Sequence, residues 1–415
     1  MLLSKPLLAA PARLASSFIL ISVLLDMAGL GISITVLPQL IGSLAGSSAA
    51  GWINGAFVGV WALVQFAASP LLGSLSDRFG RRPLLLISML GLGLDYVFMA
   101  LAPNLAWLLV GRILSGITAS SFSISFAYVA DVTPEEGRAA AFGRLGAAFG
   151  LGFILGPAVG GLLGEVSVRA PFWAAAGFSL ANAVFGFLVL PESLPKDRRS
   201  PFAWRKANPL GSLELLRSHP ELAGLSWTHL ASQFAGSSIA SVYVLYVIER
   251  YGWSMRSVGF SLAFVGVVVA VVQGGLQGRV TAWLGEKRTL LIGLAAGVLS
   301  LLGFGLSPAG WFIPVLIMLF GFWGLQGPAT MAIMSRRVAE TEQGRLQGAV
   351  ASLTSLADGI GPFVFGGLFS LTAAAGLRGA WSGLAFIAAA ALLLASLIYS
   401  AILLRVPKGE TPPLT

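Results

Sequence analysis

The sequence predicts an all-α integral membrane protein, with twelve transmembrane helices in two pseudo-symmetric six-helix bundles. Three observations support this prediction. Of the 415 residues, 56% are hydrophobic and 10% are charged, and the mean hydropathy is +0.85, whereas a soluble domain carries about 25% charged residues. Apolar runs long enough to cross a bilayer, at about 20 residues each, fall into two sets of six. Finally, landmarks of the first set recur in the second.

The predicted spans are separated by one long polar stretch, residues 192–220, which we interpret as a cytoplasmic linker. We therefore expect an N-terminal bundle over 1–191 and a C-terminal bundle over 221–415. Leu210, Leu213 and Leu216 in the linker could form an interfacial helical turn, and a flexible linker is the alternative. The twelve spans are 16–40, 51–75, 83–102, 105–130, 141–164, 171–191, 221–248, 257–281, 289–307, 310–335, 346–373 and 379–404.

The two halves repeat at a fixed offset of 205 residues. The stretch from Gly73 to Arg82 recurs from Gly278 to Lys287, and Gly156-Pro157 recurs as Gly361-Pro362. Because both landmarks keep the same offset and direction, they indicate a duplicated six-helix unit. Parallel repeats of this kind are typical of alternating-access transporters with a site near the bilayer midplane.

The net charge is +9, and the basic residues are distributed unevenly between the two sides of the membrane. When each loop is assigned in turn, all but five of the 26 Lys and Arg residues fall on one side. This positive-inside bias predicts a multi-pass protein of the inner membrane with both termini cytoplasmic, and argues against nucleic-acid binding. No cysteine is present, so disulfides and thiolate metal sites are excluded. The five exceptions are Arg112, Arg169, Arg250, Arg256 and Arg378.

A charged turn, residues 73–83, lies between the second and third spans and must lie at a membrane surface. Asp77 could accept hydrogen bonds from the free N–H groups of the next helix, or pair with an arginine. The pattern resembles the signature loop of the major facilitator superfamily, which acts there as a cytoplasmic gate latch. The gate residues implied by this resemblance are Gly73, Asp77, Arg78, Gly80, Arg81 and Arg82.

Four ionisable residues lie inside apolar runs: Asp26, Asp95, Arg112 and Asp358. A charge at the bilayer centre costs about 2.5–3.5 kcal/mol even on an insertion scale, so such residues are functional candidates. Asp26 lies on a small, polar stripe that we expect to line water or substrate, and it is a candidate proton carrier. Arg112 could pair with Asp26 or with Asp95. Asp358 could face a cavity or satisfy backbone groups freed at Pro362.

The fifth predicted helix carries a glycine face with a proline kink, which predicts very close helix packing. It resembles the antiporter motif of major facilitator drug exporters and therefore favours export. Its residues are Gly143, Gly152, Gly156, Pro157, Gly160 and Gly161.

Uncharged polar side chains inside other spans are candidate substrate contacts. The seventh helix carries His229, Gln233, Ser237 and Ser241 at fourfold spacing, so they share one face. Gln65 and Gln273 lie inside the second and eighth helices. For each of these, a helix–helix hydrogen bond is the alternative.

Several stretches look like the tetracycline/proton antiporters, from the first helix to the eleventh. They include Asp26-Met-Ala-Gly-Leu-Gly31, Leu94-Asp-Tyr96, Gly111-Arg-Ile-Leu-Ser-Gly116 and Leu346-Gln-Gly348. This resemblance implies exchange of a cytoplasmic drug, as a divalent-metal chelate, for an external proton. It also assigns transport roles to Asp26, Asp95 and Arg112, and latch roles to Asp77 and Arg81.

The chain departs from that family at two positions. A ninth-helix acid is absent where the chain has Gly297, and an eighth-helix histidine is Val269. Asp358 is an additional acid. Our hypothesis is that Asp358 replaces the missing ninth-helix acid wholly or in part.

The leading interpretation is a proton-coupled efflux antiporter for an amphipathic drug of tetracycline type. The alternatives are the same machine carrying another drug, a sugar or a lipid, and a passive facilitator. An enzyme is disfavoured because the chain has two histidines, no cysteine and no clustered catalytic acids. We expect a monomer in the lipid bilayer, with no cofactor and no metal site, and with Mg²⁺ only as part of a substrate chelate.

Overall fold

The computed structural model describes residues 10–46, 49–119, 121–200, 215, 219, 222–339, 342–377 and 379–405. These residues form helices joined by short connections, and no strand occurs among them. The predicted interfacial turn at Leu210, Leu213 and Leu216 lies outside the described residues.

Seven α-helices are described before the linker. The region 105–132 contains two of them and forms a single candidate span. Their bounds are α1 Ala10–Ala45, α2 Ala50–Phe79, α3 Arg81–Leu101, α4 Leu105–Thr118, α5 Ser121–Val132, α6 Arg138–Val166 and α7 Ala170–Val189.

Seven more α-helices are described after the linker, with a π-helical turn at Ala270–Leu276 between the second and third. Their bounds are α8 Ala223–Tyr251, α9 Met255–Val269, α10 Gln277–Leu306, α11 Ile313–Trp323, α12 Gln326–Ser335, α13 Gln343–Ala374 and α14 Leu384–Arg405.

Eleven stretches of the described chain are long and apolar enough to cross a membrane. One of them, Met255–Leu306, has 52 residues, which is more than twice the length that a bilayer requires. It is interrupted at Gly285, whose φ of 76° and ψ of 161° are not helical. This stretch therefore contains two spans, and the predicted twelve-helix all-α fold is confirmed.

The chain divides into two compact units. The first combines residues 1–209 with 252–266, and the second combines 210–251 with 267–415. Segment 252–266 groups with the first unit because Gly259 and Gly266 of α9 lie against α6. The predicted domain boundaries at residues 191 and 221 stay a prediction.

The charged segment between the second and third spans differs from the predicted turn. Helix α2 continues to Phe79 and α3 begins at Arg81, so Gly80 alone leaves the helical conformation, with φ of 108°. A positive φ is readily adopted by glycine because it lacks a Cβ. The charged residues therefore belong to two helix ends that meet at one sharp corner.

Candidate functional site

A buried ion pair joins α3 and α4 in the first unit. Arg112 donates to the carboxylate of Asp95, and the side chains are only 6% and 0% exposed. Gly111 makes this approach possible, since a Cβ at that position would lie 2.8 Å from Oδ1 of Asp95. The sequence left Asp26 and Asp95 open as partners of Arg112, and in the structure Arg112 pairs with Asp95.

Asp26 on α1 is buried, with 4% of its surface exposed. The hydroxyl of Ser121, at the start of α5, lies within hydrogen-bonding reach of its carboxyl group. Its Oδ1 has no hydrogen-bond partner within the described part of the chain, and no arginine, lysine or histidine described there forms a salt bridge with it. Asp26 and the Asp95–Arg112 pair are thus two different electrostatic sites.

Tyr96 lies close enough to interact electrostatically with both of these sites. It is fully buried, follows Asp95 directly on α3 and lies against Gly29 of α1. Gly29 leaves room for its ring, since a Cβ there would lie 2.8 Å from Cζ of Tyr96. Tyr96 was not predicted as a site residue, although its place next to Asp95 in an apolar helix was a usable signal.

The polar stripe of α1 faces protein rather than an open path. Ser22 donates to Oδ1 of Asn182 on α7 at 3.1 Å, and Ser22, Asp26 and Ser33 are each at most 4% exposed. The stripe is therefore buried in protein, and its predicted role in lining water or substrate stays a prediction. Small residues such as Gly29 let the neighbouring helices close over the stripe.

Three glycines of α6 form a close seam with α1. The positions repeat every four residues on both helices, so the two backbones stay in contact over two turns. A Cβ at Gly156 would lie 2.9 Å from the Cα of Ala28, and one at Gly160 would lie 3.1 Å from the Cα of Ile32. A Cβ at Gly152 would lie 2.8 Å from Cβ of Met27. Only glycine allows this approach without a backbone shift.

The remaining residues of the α6 motif differ in their surroundings. A Cβ at Gly161 would lie 2.8 Å from the Cα of Gly259, and Pro157 lies against Gly31. Gly143 is exposed, and nothing lies within 4 Å of where its Cβ would be. The close packing predicted for this face therefore begins at Gly152.

Arg81 is the centre of a charged network at the corner between α2 and α3. Its guanidinium contacts Asp77 at 2.6 Å and Asp131 at 3.3 Å, and donates to the hydroxyl of Ser76 at 2.6 Å. Asp77 therefore pairs with an arginine, which was one of the two possibilities left open. Asp131, at the end of α5, was not foreseen, although an acid at the end of an apolar span was a visible signal.

Glu192 occupies the position in which Asp77 was alternatively expected. Its Oε1 accepts hydrogen bonds from the backbone N–H of Arg81 at 2.8 Å and of Leu194 at 3.1 Å. The carboxylate thus caps the N-terminus of α3, where the helix dipole favours negative charge. The sequence signal was the Pro-Glu-Ser run directly after the sixth span.

The other gate residues have peripheral roles. Arg82 donates to the carbonyl of Phe187 at 2.6 Å, and the Arg78 guanidinium lies 5.1 Å from the ring centre of Phe79. Gly73 has no atom within 4 Å of its Cβ position, so it does not mediate close helix contact.

In the second unit, polar groups lie along the contact between α8 and α13. His229 Nε2 lies 2.8 Å from the hydroxyl of Thr354, and a Cβ at Gly361 would lie 2.9 Å from Cβ of Ser237. The two helices therefore run in the same direction with matched register. Gln233 lies one turn after His229 on α8, and Asp358 lies one turn after Thr354 on α13; both are half-buried. We infer that Gln233 and Asp358 lie at the same level along the two helices.

Asp358 forms no salt bridge within the described part of the chain. Among these described residues, no three histidine, aspartate or glutamate side chains cluster as ligands of a metal ion. The polar line of the second unit thus combines one carboxyl group with neutral donors and acceptors.

The two remaining glutamines occupy separate positions. Gln65 donates to the carbonyl of Ala119 at 2.9 Å, where α4 ends. Gln273 is exposed on the π-helical turn, and its amide approaches Gly324 within the second unit. Such turns occur frequently at functional sites.

Comparison with known proteins identifies the family and the fold. The model of the Major Facilitator Superfamily matches residues 19–362. The tetracycline resistance protein of class C from Escherichia coli is 38% identical over 379 residues, which cover 91% of this chain and 94% of that protein. The class G protein of Vibrio anguillarum is 38% identical, covering 92% and 96%. An inward-facing bacterial homologue of the human lysosomal transporter Spinster is similar in fold, with a TM-score of 0.74 at 18% identity, covering 97% and 98%.

Proposed function

The chain belongs to the Major Facilitator Superfamily, and we propose that it is a proton-coupled efflux antiporter that exports an amphipathic drug by alternating access. Membership makes it a multi-pass membrane transporter rather than an enzyme. The relatives that are named tetracycline resistance proteins favour a cargo of tetracycline type. We propose that this cargo is carried as its Mg²⁺ chelate, as the resemblance to the tetracycline/proton antiporters implies. Mg²⁺ is then part of the substrate and not a resident cofactor.

Buried Asp26 is the observation that carries the proposal. A charge in an apolar interior is costly unless it is paired, and no cation in the described part of the chain forms a salt bridge with Asp26. Asp95 differs because Arg112 already compensates its charge. In the proposed cycle, Asp26 binds the incoming proton and releases it to the other side, while the Asp95–Arg112 pair stays ionised and fixes α3 against α4.

Tyr96 links the two sites in this proposal. Its ring lies against Gly29 on α1, and it follows Asp95 directly on α3. A change in the charge of Asp26 on α1 would therefore reach the pair through Tyr96. We propose that Tyr96 positions Asp26 and does not itself carry the proton.

The glycine seam and the charged corner serve the conformational change. Because α1 and α6 touch at their backbones, the helix that carries Asp26 moves together with the helix that carries the antiporter motif. The network of Arg81, Asp77, Asp131 and Glu192 ties α2, α3, α5 and the chain beyond α7, and we propose that it acts as the cytoplasmic latch. Both termini are then cytoplasmic, and the protein lies in the inner membrane.

Cargo recognition is proposed for the neutral polar residues. His229 and Gln233 on α8, together with Gln65 and Gln273, can hydrogen-bond a polar drug without requiring a counter-charge. Asp358 is proposed as a second proton site that substitutes for the ninth-helix acid absent at Gly297. The proposed transporter acts as a monomer, with no cofactor and no nucleic-acid partner.

Proton movement in proteoliposomes tests the proposal. Tetracycline with Mg²⁺ is added to vesicles that contain the natural sequence, the Asp26→Asn variant or the Asp197→Asn variant. Asp197 is an exposed acid with no described partner and serves as the matched control. We expect a drug-induced proton flux in the natural sequence and the control, and at least a tenfold smaller flux in Asp26→Asn.

The other outcomes identify the alternatives. A flux with another drug but not with tetracycline would keep the antiporter and change the cargo. Drug movement without any proton flux, and never against a gradient, would favour a passive facilitator. An unchanged flux in Asp26→Asn would refute the role of Asp26.

A further inference from the structure

The second unit contains a cavity of about 220 Å³ between α8, α12 and α13. Its wall is almost entirely apolar. The side chains that matter here are His229, Pro328, Thr330, Met331, Met334 and Val350. We propose that this cavity is a subsite for an apolar ring system of the cargo that carries one hydrogen-bond donor. This inference rests on the proposed export of an amphipathic drug.

The size of the cavity limits its occupant. Sites that hold a whole drug have volumes of about 300–1,000 Å³, so this cavity is too small for a complete four-ring molecule. A cavity of about 150 Å³ is sufficient for benzene. The occupant is therefore a fragment of one or two fused rings, with the rest of the cargo outside the cavity.

Two methionines determine how selective the apolar wall is. Met331 and Met334 are unbranched and polarisable, and such side chains adapt to differently shaped rings and make favourable sulfur–aromatic contacts. A wall of this kind favours aromatic cargo in general over one particular outline. Shape alone therefore provides little discrimination in the subsite.

His229 provides the discrimination. The Thr354 hydroxyl lies 3.1 Å from the carbonyl of Val350 and 2.8 Å from Nε2 of His229. Both contacts are satisfied when Thr354 donates its single hydrogen to Val350 and Nε2–H of His229 donates to Thr354. Nδ1 of the neutral ring is then an acceptor. Because His229 lines the cavity, we take Nδ1 as the acceptor for a hydroxyl or amine donor on the ring, which is then preferred over a bare hydrocarbon.

Equilibrium binding of 2-naphthol and naphthalene to the detergent-purified full chain tests the subsite. Val350→Phe fills the cavity, and Val364→Phe on the exposed face of the same helix is the matched control, since Val364 is 43% exposed. We expect Val350→Phe to weaken binding of both probes at least tenfold and Val364→Phe to leave it unchanged. Thermal unfolding of each variant reports that it is folded.

His229→Phe separates the hydrogen bond from the cavity. We expect this variant to bind 2-naphthol about 5–10-fold more weakly, as the loss of one hydrogen bond predicts, and naphthalene as before. Tetracycline is expected to displace 2-naphthol competitively.

Three results would overturn the subsite: no binding of 2-naphthol to the natural sequence, unchanged binding in folded Val350→Phe, or binding that tetracycline does not displace. The binding assay does not measure proton flux. A failure of the subsite therefore appears in the binding assay, and a failure of the antiporter proposal appears in the proteoliposome experiment.

Discussion

The two repeats use the same helix pair for different purposes. At the 205-residue offset, Leu24, Ala28 and Ile32 of α1 correspond to His229, Gln233 and Ser237 of α8. In the first unit these positions are apolar and lie against α6, with Gly156 and Gly160 in backbone contact. In the second unit the same positions form the polar line beside α13. The contact between the two helices is therefore apolar in the first repeat and polar in the second.

The partner helices differ in the same way. Phe149 and Phe153 of α6 are stacked on each other at 6.5 Å, whereas the equivalent positions of α13 are Thr354 and Asp358. The buried acids of the first unit, Asp26 and Asp95, lie instead on α1 and α3. The difference between the repeats shows that duplication kept the contact between these two helices and changed its chemistry, from apolar in the first unit to polar in the second.

The largest expected effect comes from breaking the Asp95–Arg112 pair. Asp95→Asn leaves a buried arginine without compensation, which is expected to cost about 3–5 kcal/mol. The double variant Asp95→Asn/Arg112→Gln removes both charges and is expected to recover more than half of that loss. Thermal and denaturant unfolding in detergent measure both. If the double variant is no more stable than the single one, the two charges do not form the pair described here.

Gly156→Ala tests whether the first seam is the tighter one. The new Cβ would meet the backbone of Ala28, which cannot rotate away, and we expect a loss of about 1–3 kcal/mol. At Gly361, the equivalent Cβ meets mainly the Ser237 side chain, so we expect a smaller loss. Gly143→Ala is the control, expected to be neutral or to stabilise by about 0.5–1 kcal/mol. Equal losses at Gly156 and Gly361 would contradict the distinction between the seams.

The sequence predicted most of the fold because apolar length and repeated motifs are local features of the chain. The partner of Arg112 was not predictable, since Asp26 and Asp95 lie at comparable depth and the choice depends on how α3 meets α4. The capping of α3 by Glu192 joins residues that are 111 positions apart. Gly143 shows the opposite kind of error. Its spacing fits the motif and so predicts close packing, but its surroundings are open.

Asp358→Asn tests whether proton binding extends into the second unit. If Asp358 binds a second proton, the number of protons moved per drug falls, by up to about half, while drug transport continues. Simultaneous recording of drug and proton flux in proteoliposomes gives this ratio, with Asp197→Asn as control. An unchanged ratio would confine proton chemistry to the first unit.

Glu192→Gln is expected to have the smallest effect. The amide can still accept the backbone hydrogen bonds of α3 but loses the attraction between negative charge and the helix N-terminus, worth about 0.3–1 kcal/mol. We expect a slightly lower midpoint of thermal unfolding in low salt, and a smaller difference from the natural sequence in high salt. A difference that is independent of salt would indicate a role in packing instead.

The central claim is that Asp26 carries the proton and does not merely hold α1 in place. Tetracycline–Mg²⁺ exchange at equal pH and uptake driven by a pH gradient are measured on the same Asp26→Asn proteoliposomes. We predict that exchange across the membrane continues within about threefold of the natural sequence, because both conformations still form, while gradient-driven accumulation is lost. Retained accumulation, or loss of exchange together with accumulation, would contradict the claim.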